Sequence, residues 1–103
     1  MSTPFAPRDG GTVTVAASTT SADEAFSANC HRMRVHNTTD GVAFVKTGQG
    51  SSLTATTADF PVGPGDTAVF NIKSNHNIVA VILASGSTSG DVYCTPGEGG
   101  SAV

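Results

Sequence analysis

Apolar and polar residues alternate in short runs along the chain, with the period of two that is typical of β-strands. Residues 12–17 read TVTVAA and residues 67–72 read TAVFNI. Because a strand with one buried face shows this alternation, we predict a half-buried strand in each segment. The side chains predicted to face the core are Val13, Val15 and Ala17 in the first segment and Ala68, Phe70 and Ile72 in the second.

The stretch before the second of these strands, residues 61–66 (PVGPGD), is incompatible with a helix. Proline has no backbone donor, and Pro64 disfavours the α conformation at Gly63. Gly65 supplies the permissive backbone that a sharp turn needs. We therefore predict an antiparallel corner that consists of a strand, a proline-glycine turn and a second strand.

Residues 30–47 are predicted to form a β-hairpin. In its first strand, residues 30–37, we expect Met33 and Val35 in the core and the arginines outward. Asp40-Gly41 is a strong hairpin signal, so residues 42–47 should return as the paired strand. The side chains expected on one face of that strand are Val42 and Phe44, and we expect Phe44 in the core.

Other segments complete an all-β pattern. Residues 78–84 (IVAVILA) are apolar on both faces and short, which favours a central strand, and residues 53–58 are either a weak edge strand or an irregular loop. Short strands between Gly, Pro, Asn and Asp turns predict a small antiparallel β-sandwich or a jelly-roll-like barrel of about seven to eight strands.

The length of 103 residues suffices for one domain. We expect an extended N-terminal arm over residues 1–11, a β-sandwich domain over residues 12–96 and a C-terminal tail over residues 97–103. Two prolines and a glycine pair keep the arm irregular. It is either a frayed terminus or an arm that lies on a neighbouring subunit, with Phe5 as its contact.

Composition and charge limit the kinds of molecule that the protein is expected to bind. Charged residues make up 13% of the chain, about half the usual fraction, and the net charge is −3 with five basic residues. A nucleic-acid surface normally carries a basic patch, so nucleic acid is not an expected partner. No apolar run is long enough to span a membrane, and the start of the chain does not resemble a signal peptide, so we expect synthesis in a cytoplasm.

Catalytic and metal-binding patterns are weak. His31 and His36 are five residues apart and so fall on opposite faces of a strand, and His76 lies in a turn. Cys30 precedes His31, but adjacent strand residues also point to opposite faces. Cys30 and Cys94 are either two free, buried thiols or a bridge between an early and a late strand. We predict no enzymatic activity, no metal and no cofactor.

A glycan-binding module remains an alternative, since β-sandwiches bind sugars on exposed aromatic platforms. The chain has no tryptophan and one tyrosine. A stacking platform would need Phe5, Phe26, Phe60 or Tyr93 to be exposed together.

Several motifs from Met33 onward also occur together in a known group of proteins. They are Arg34-Val35-His36-Asn37, the VAFV of residues 42–45, the threonine-rich residues 54–59, the proline-glycine turn and strand of residues 61–70, the apolar residues 78–84 and the closing YCTPGEG of residues 93–99. In this combination the chain resembles small virion proteins of tailed bacteriophages.

The resemblance implies a non-enzymatic structural protein that binds and stabilises the outer capsid surface, as a decoration or cement protein. Its expected partners are the major capsid protein and further copies of itself, and a trimer would match the three-fold positions of the shell. The alternatives are a head–tail connector, a tail or spike-base protein, or a glycan-binding adhesion module. As candidate contact residues we name Pro4, Phe5, Pro7 and Arg8.

Overall fold

The computed structural model of the protein describes residues 5–98 and is all-β over that range, as predicted. The strand count is nine for this part of the chain, slightly above the expected number, because part of the predicted arm is itself a strand. The strands are β1 (Ala6–Pro7), β2 (Val13–Ala17), β3 (Ala22–Ala25), β4 (Arg32–Asn37), β5 (Ala43–Gly48), β6 (Phe60–Val62), β7 (Thr67–Asn71), β8 (Ile78–Leu83) and β9 (Gly90–Glu98).

The strands form two antiparallel sheets that pack as a β-sandwich. In sheet A, β4 lies between β7 and β9, and the far side of β9 pairs with β1 near its end and with β2 near its start. Sheet B has the order β3-β8-β5-β6, which makes the doubly apolar β8 an interior strand as predicted. The last of the described strands, β9, is therefore an interior strand of its sheet.

The core between the sheets contains the faces predicted for β2, β4 and β7. Met33, Val35 and Val15 are fully buried, and the rings of Phe60 and Phe70 meet across the sandwich with centroids 5.0 Å apart. Cys30 and Cys94 are both free and buried, which confirms the interpretation as small apolar side chains. Burial also raises the pKa of the Cys94 thiol to about 12.

The predicted hairpin over residues 30–47 is wrong, because its two strands lie in different sheets. β4 pairs with β7 and β9, whereas β5 pairs with β6 and β8. Asp40 and Gly41 contact the loop that contains Ser87 and Thr88 and do not close a hairpin. Asp40 accepts a 2.8 Å hydrogen bond from the Thr88 N–H, which lowers the pKa of its carboxyl, and a Cβ at Gly41 would overlap the hydroxyl of Ser87.

The proline-glycine corner is confirmed as strand, turn and strand, and it too crosses between the sheets, from β6 to β7. The fully buried Asn37 ties the two crossings together. Its Nδ2 donates to the carbonyls of Gly41 at 2.8 Å and Val62 at 2.9 Å, while its Oδ1 accepts from the Thr39 N–H and hydroxyl. Because a buried amide is costly unless its hydrogen bonds are made, Asn37 specifies how the two crossings meet.

The core position predicted for Phe44 is also wrong. Ala43 and Val45 are buried in the core, whereas Phe44 lies half-buried on the outer face of sheet B beside Ile82. Apolar residues occur on both faces of β5, so a large apolar side chain does not by itself identify the inward face. The small Ala43 fits between the sheets, and the larger Phe44 lies outside.

The outer face of sheet B is covered by the irregular segment of residues 49–59, which we call the cover. The cover leaves the end of β5 and reaches the β3 edge, where the Leu53 N–H donates to Asp23 Oδ2 and the Ala55 N–H donates to Ser21 Oγ, both at 2.8 Å. It then returns to β6 and so crosses β8. Ala80, on the outer face of β8, is consequently fully buried.

Candidate binding surface

The outer face of sheet A, which we call the open face, lies on the side of the sheet away from the core. Its side chains alternate with the buried ones along β2, β4, β7 and β9, and all are exposed or half-buried. They are Thr14, Ala16, Arg32, Arg34, His36, Thr67, Val69, Asn71, Asp91, Tyr93 and Thr95.

Strand register arranges these side chains in rows across the open face. Tyr93 lies between Thr14 and His36, and the His36 Nδ1 is 2.8 Å from the Thr67 hydroxyl. In the next row Thr95 lies beside Arg34. Because each row is fixed by the ladder hydrogen bonds beneath it, the face presents its side chains in a preorganised array.

The open face carries two of the five basic residues of an acidic chain, Arg32 and Arg34. Within residues 5–98 the one ion pair is that of His31 and Glu98, so neither arginine is paired with a carboxylate there. The Arg32 Nε is buried and has no hydrogen-bond partner in that range, while Arg34 is exposed. Guanidinium groups in this situation are suited to bind carboxylates of another molecule.

The His31–Glu98 pair lies at one end of the open face. His31 Nδ1 is 2.8 Å from Glu98 Oε1, and this hydrogen bond lowers the pKa of the Glu98 carboxyl. Both side chains are more than half exposed, so solvent screens the pair and its contribution to stability is small.

The extended arm predicted for residues 1–11 is not confirmed, since its described part lies on the protein's own sheet. Ala6 and Pro7 pair with β9, and the half-buried Phe5 packs against Gly97. Arg8 donates from Nη2 to the Ala28 carbonyl at 2.8 Å. Of the four candidate contact residues, Pro7 is exposed, Phe5 and Arg8 are half-buried, and Pro4 lies outside the described residues. The same is true of residues 99–103 in the predicted tail, whereas residues 97 and 98 belong to β9.

Within residues 5–98, the histidine and cysteine side chains do not converge on one point. Cys30 Sγ accepts a hydrogen bond from Arg8 Nε at 3.2 Å, while His31 points to Glu98. His76 is bound to the Thr47 hydroxyl at 2.8 Å. Among residues 5–98 no three histidine, cysteine or acidic side chains are placed to hold a metal ion.

The aromatic residues considered for sugar stacking are separated. Phe26 is buried in the core, Phe60 packs against Phe70, and Phe5 is half-buried. Tyr93 is the one large apolar side chain in residues 5–98 that is exposed. Two open grooves of about 420 and 380 Å³ flank β2, with Asp91 as the one titratable residue that lines them.

Compared with known proteins, the chain matches no protein-family model and none of the curated proteins. Within the part that the structure describes, no helix is long and apolar enough to cross a bilayer.

Sequence reasoning placed the arginines of β4 outward but did not single out the open face as a surface. The missing information was the position of the cover, which occupies the outer face of one sheet and leaves that of the other bare. The alternation of Arg32, Arg34 and His36 with buried residues was the available signal, since three basic side chains on one face of a strand stand out in a chain with few charges.

Proposed function

We propose that this protein is a non-enzymatic structural component of the virion of a tailed bacteriophage, and that it binds and stabilises the outer surface of the capsid. The proposal rests on the open face, whose side chains are exposed or half-buried and include residue types that are enriched in protein–protein contacts. Arginine and tyrosine are enriched at such contacts, and lysine is depleted. The resemblance of the motifs from Met33 onward to phage virion proteins supports the same role.

In this role the open face lies against the major capsid protein. Arg32 and Arg34 bind carboxylates of the shell, and Tyr93 packs beside them as the apolar anchor. Pro7, exposed at the same sheet's edge, and the chain before it extend the contact. Many copies on a repetitive shell then act through avidity, so that each single contact can be weak. The protein is made in the host cytoplasm and resides on the capsid exterior.

The test is co-sedimentation of purified protein with capsids of the phage that carries the gene. We expect Arg34→Glu to weaken capsid binding by about tenfold or more, because an arginine at the centre of an interface commonly contributes this much. Lys46→Glu is the matched control: it makes the same charge reversal at an exposed strand position on the outer face of sheet B. Equal binding of both variants would contradict the open face as the contact.

A count of copies per particle by electron microscopy separates the proposal from its nearest alternative. Hundreds of copies, on the order of the shell's own subunit number, indicate decoration of the capsid. About five to twelve copies would instead indicate a head–tail connector, a tail ring or a spike base, which follow the closed symmetries of those positions.

A further inference from the structure

Four edges border the two sheets, and three of them are protected against pairing with another strand. β6 has three residues with Pro61 in the middle, and β3 carries Asp23-Glu24 and is bound by the cover. The β1–β2 edge contains Pro7, is interrupted by Gly10-Gly11, and runs beside β3 of the other sheet. Proline, charge, interruption and covering are the usual devices that protect sheet edges.

The edge strand β7 has none of these devices. Its sequence, TAVFN, contains no proline, glycine or charged residue over five residues. Two hydrogen bonds at the ends of β7 show which of its backbone groups point to β4. The Asn37 N–H donates to the Asp66 carbonyl, and the Ile72 N–H donates to the His31 carbonyl, both at 3.0 Å. Because backbone groups alternate in direction along a strand, Thr67, Val69 and Asn71 direct their N–H and C=O groups away from β4, toward the open edge.

We propose that β7 pairs antiparallel with β7 of a second copy, about a two-fold axis at Val69. This register places Val69 opposite its own copy and Thr67 opposite Asn71, and it uses the outward backbone groups in about six hydrogen bonds. On the core-facing side it places Ala68 opposite Phe70, so that a small side chain meets a large one.

The occupant is a second copy of this chain because the strand is complementary to itself. Polar residues meet polar ones, valine meets valine, and no charged residues oppose each other on the paired strands. The pairing occupies the β7 edge of both copies, so no β7 edge is left for a third copy, and the product is a dimer and not a fibre. The contact does not depend on the capsid role. A two-fold contact alone cannot build a trimer, so the mass of the assembly distinguishes the two arrangements.

Cysteine cross-linking of the full chain tests the register. In Val69→Cys the two introduced thiols face each other across the axis, at a Cα separation of about 5.5 Å that a disulfide spans. In Thr67→Cys they lie about 14 Å apart, four residues along the strand. The native cysteines are buried and do not compete. We expect mild oxidation to convert Val69→Cys to a covalent dimer at least tenfold faster than Thr67→Cys; equal rates would overturn the proposal.

Sedimentation equilibrium tests the assembly without new thiols. An interface formed by five residues of each copy is small, so we expect a weak dimer. The average mass measured should then rise with protein concentration toward that of two chains. Val69→Lys should remain monomeric, while Thr14→Lys, which adds the same charge at an exposed position of β2, should dimerise like the wild type. Circular dichroism verifies that both variants are folded. A wild-type mass of one chain at the highest soluble concentration, or of three chains unaffected by Val69→Lys, would overturn the proposal.

Discussion

The two outer faces of the sandwich differ in what lies on them. On sheet B the cover crosses β8, so that Ala80 and Ile78 are buried although they point away from the core. On sheet A the corresponding positions, such as Arg34 and Tyr93, remain exposed. Sheet B is therefore packed on both sides along most of β8, whereas the outer face of sheet A stays accessible for binding.

This difference can be read in the strands themselves. β8 has the sequence IVAVIL and is apolar at every position, because both of its faces are buried. β4 has the sequence RMRVHN and alternates, because one of its faces meets solvent. A strand without alternation in a small antiparallel domain thus indicates a third layer, which here consists of an irregular segment and not of another sheet.

The largest expected effect comes from a charge placed beneath the cover. Ala80→Asp should destabilise the protein by about 3 kcal/mol or more, because a carboxylate buried beneath the cover is costly and its cross-strand neighbours include the acidic Asp23 as well as Lys46. Thr14→Asp, at an exposed position of the open face, should cost less than about 1 kcal/mol. Denaturant unfolding monitored by circular dichroism measures both changes. Similar losses for the two variants would mean that the outer faces do not differ in burial.

A smaller effect is expected where the cover is attached. Ser21→Ala removes the acceptor of the Ala55 N–H and should cost about 1 kcal/mol, the usual contribution of one hydrogen bond. Hydrogen exchange should accelerate at the amides of Leu53 and Ala55 and stay unchanged at those of β9. Ser52→Ala serves as the control, since its exposed side chain has no hydrogen bond within residues 5–98. Faster exchange throughout both sheets would show that the cover does not open on its own.

The smallest effect concerns pH. Burial, with the charge of Lys73 as a second cause, lowers the pKa of His76 from its ordinary value of 6.5, and His76 binds Thr47, two residues before the cover begins. A lowered pKa in the folded state means that His76 favours folding above pH 6.5 and that this contribution is lost as the pH falls through the folded value.

Unfolding free energies at about pH 8 and pH 5 test this expectation, in a range where carboxylates stay largely ionised. The wild type should lose a fraction of a kcal/mol more than His76→Gln on acidification, on the order of the linkage of one partly shielded group. Equal losses in the two proteins would contradict a role for His76 in this pH dependence.

Much of the fold followed from the sequence because alternation reports burial directly. The inward faces of β2, β4 and β7 and the interior position of β8 were predicted on this basis. The partners of β4 and β5 were not, since a turn signal such as Asp40-Gly41 shows that the chain changes direction but not whether the next strand joins the same sheet. Here the aspartate and the glycine serve the contact with residues 87 and 88.

The candidate surface was harder to predict, for a reason that lies in the same contacts. Alternation placed Arg34 and its neighbours outward, yet outward positions become a binding surface only if no other segment packs on them. The segment that decides this, residues 49–59, has no regular secondary structure, and its attachment to the β3 edge is by hydrogen bonds that its own amides donate to Ser21 and Asp23. The position of Ala6 and Pro7 could not be predicted for a similar reason, because their pairing with β9 depends on the distant Gly97, at which there is no room for a Cβ.

The interior position of β9 has a consequence for synthesis on the ribosome. Sheet A needs β9 to join β1 and β2 to β4, yet among the strands of residues 5–98 it is made last. Until it leaves the exit tunnel, the earlier strands of that sheet have no neighbour to unite them, so sheet A should form only once β9 has emerged, and a nascent protein that stops before Gly90 should remain a target for proteases.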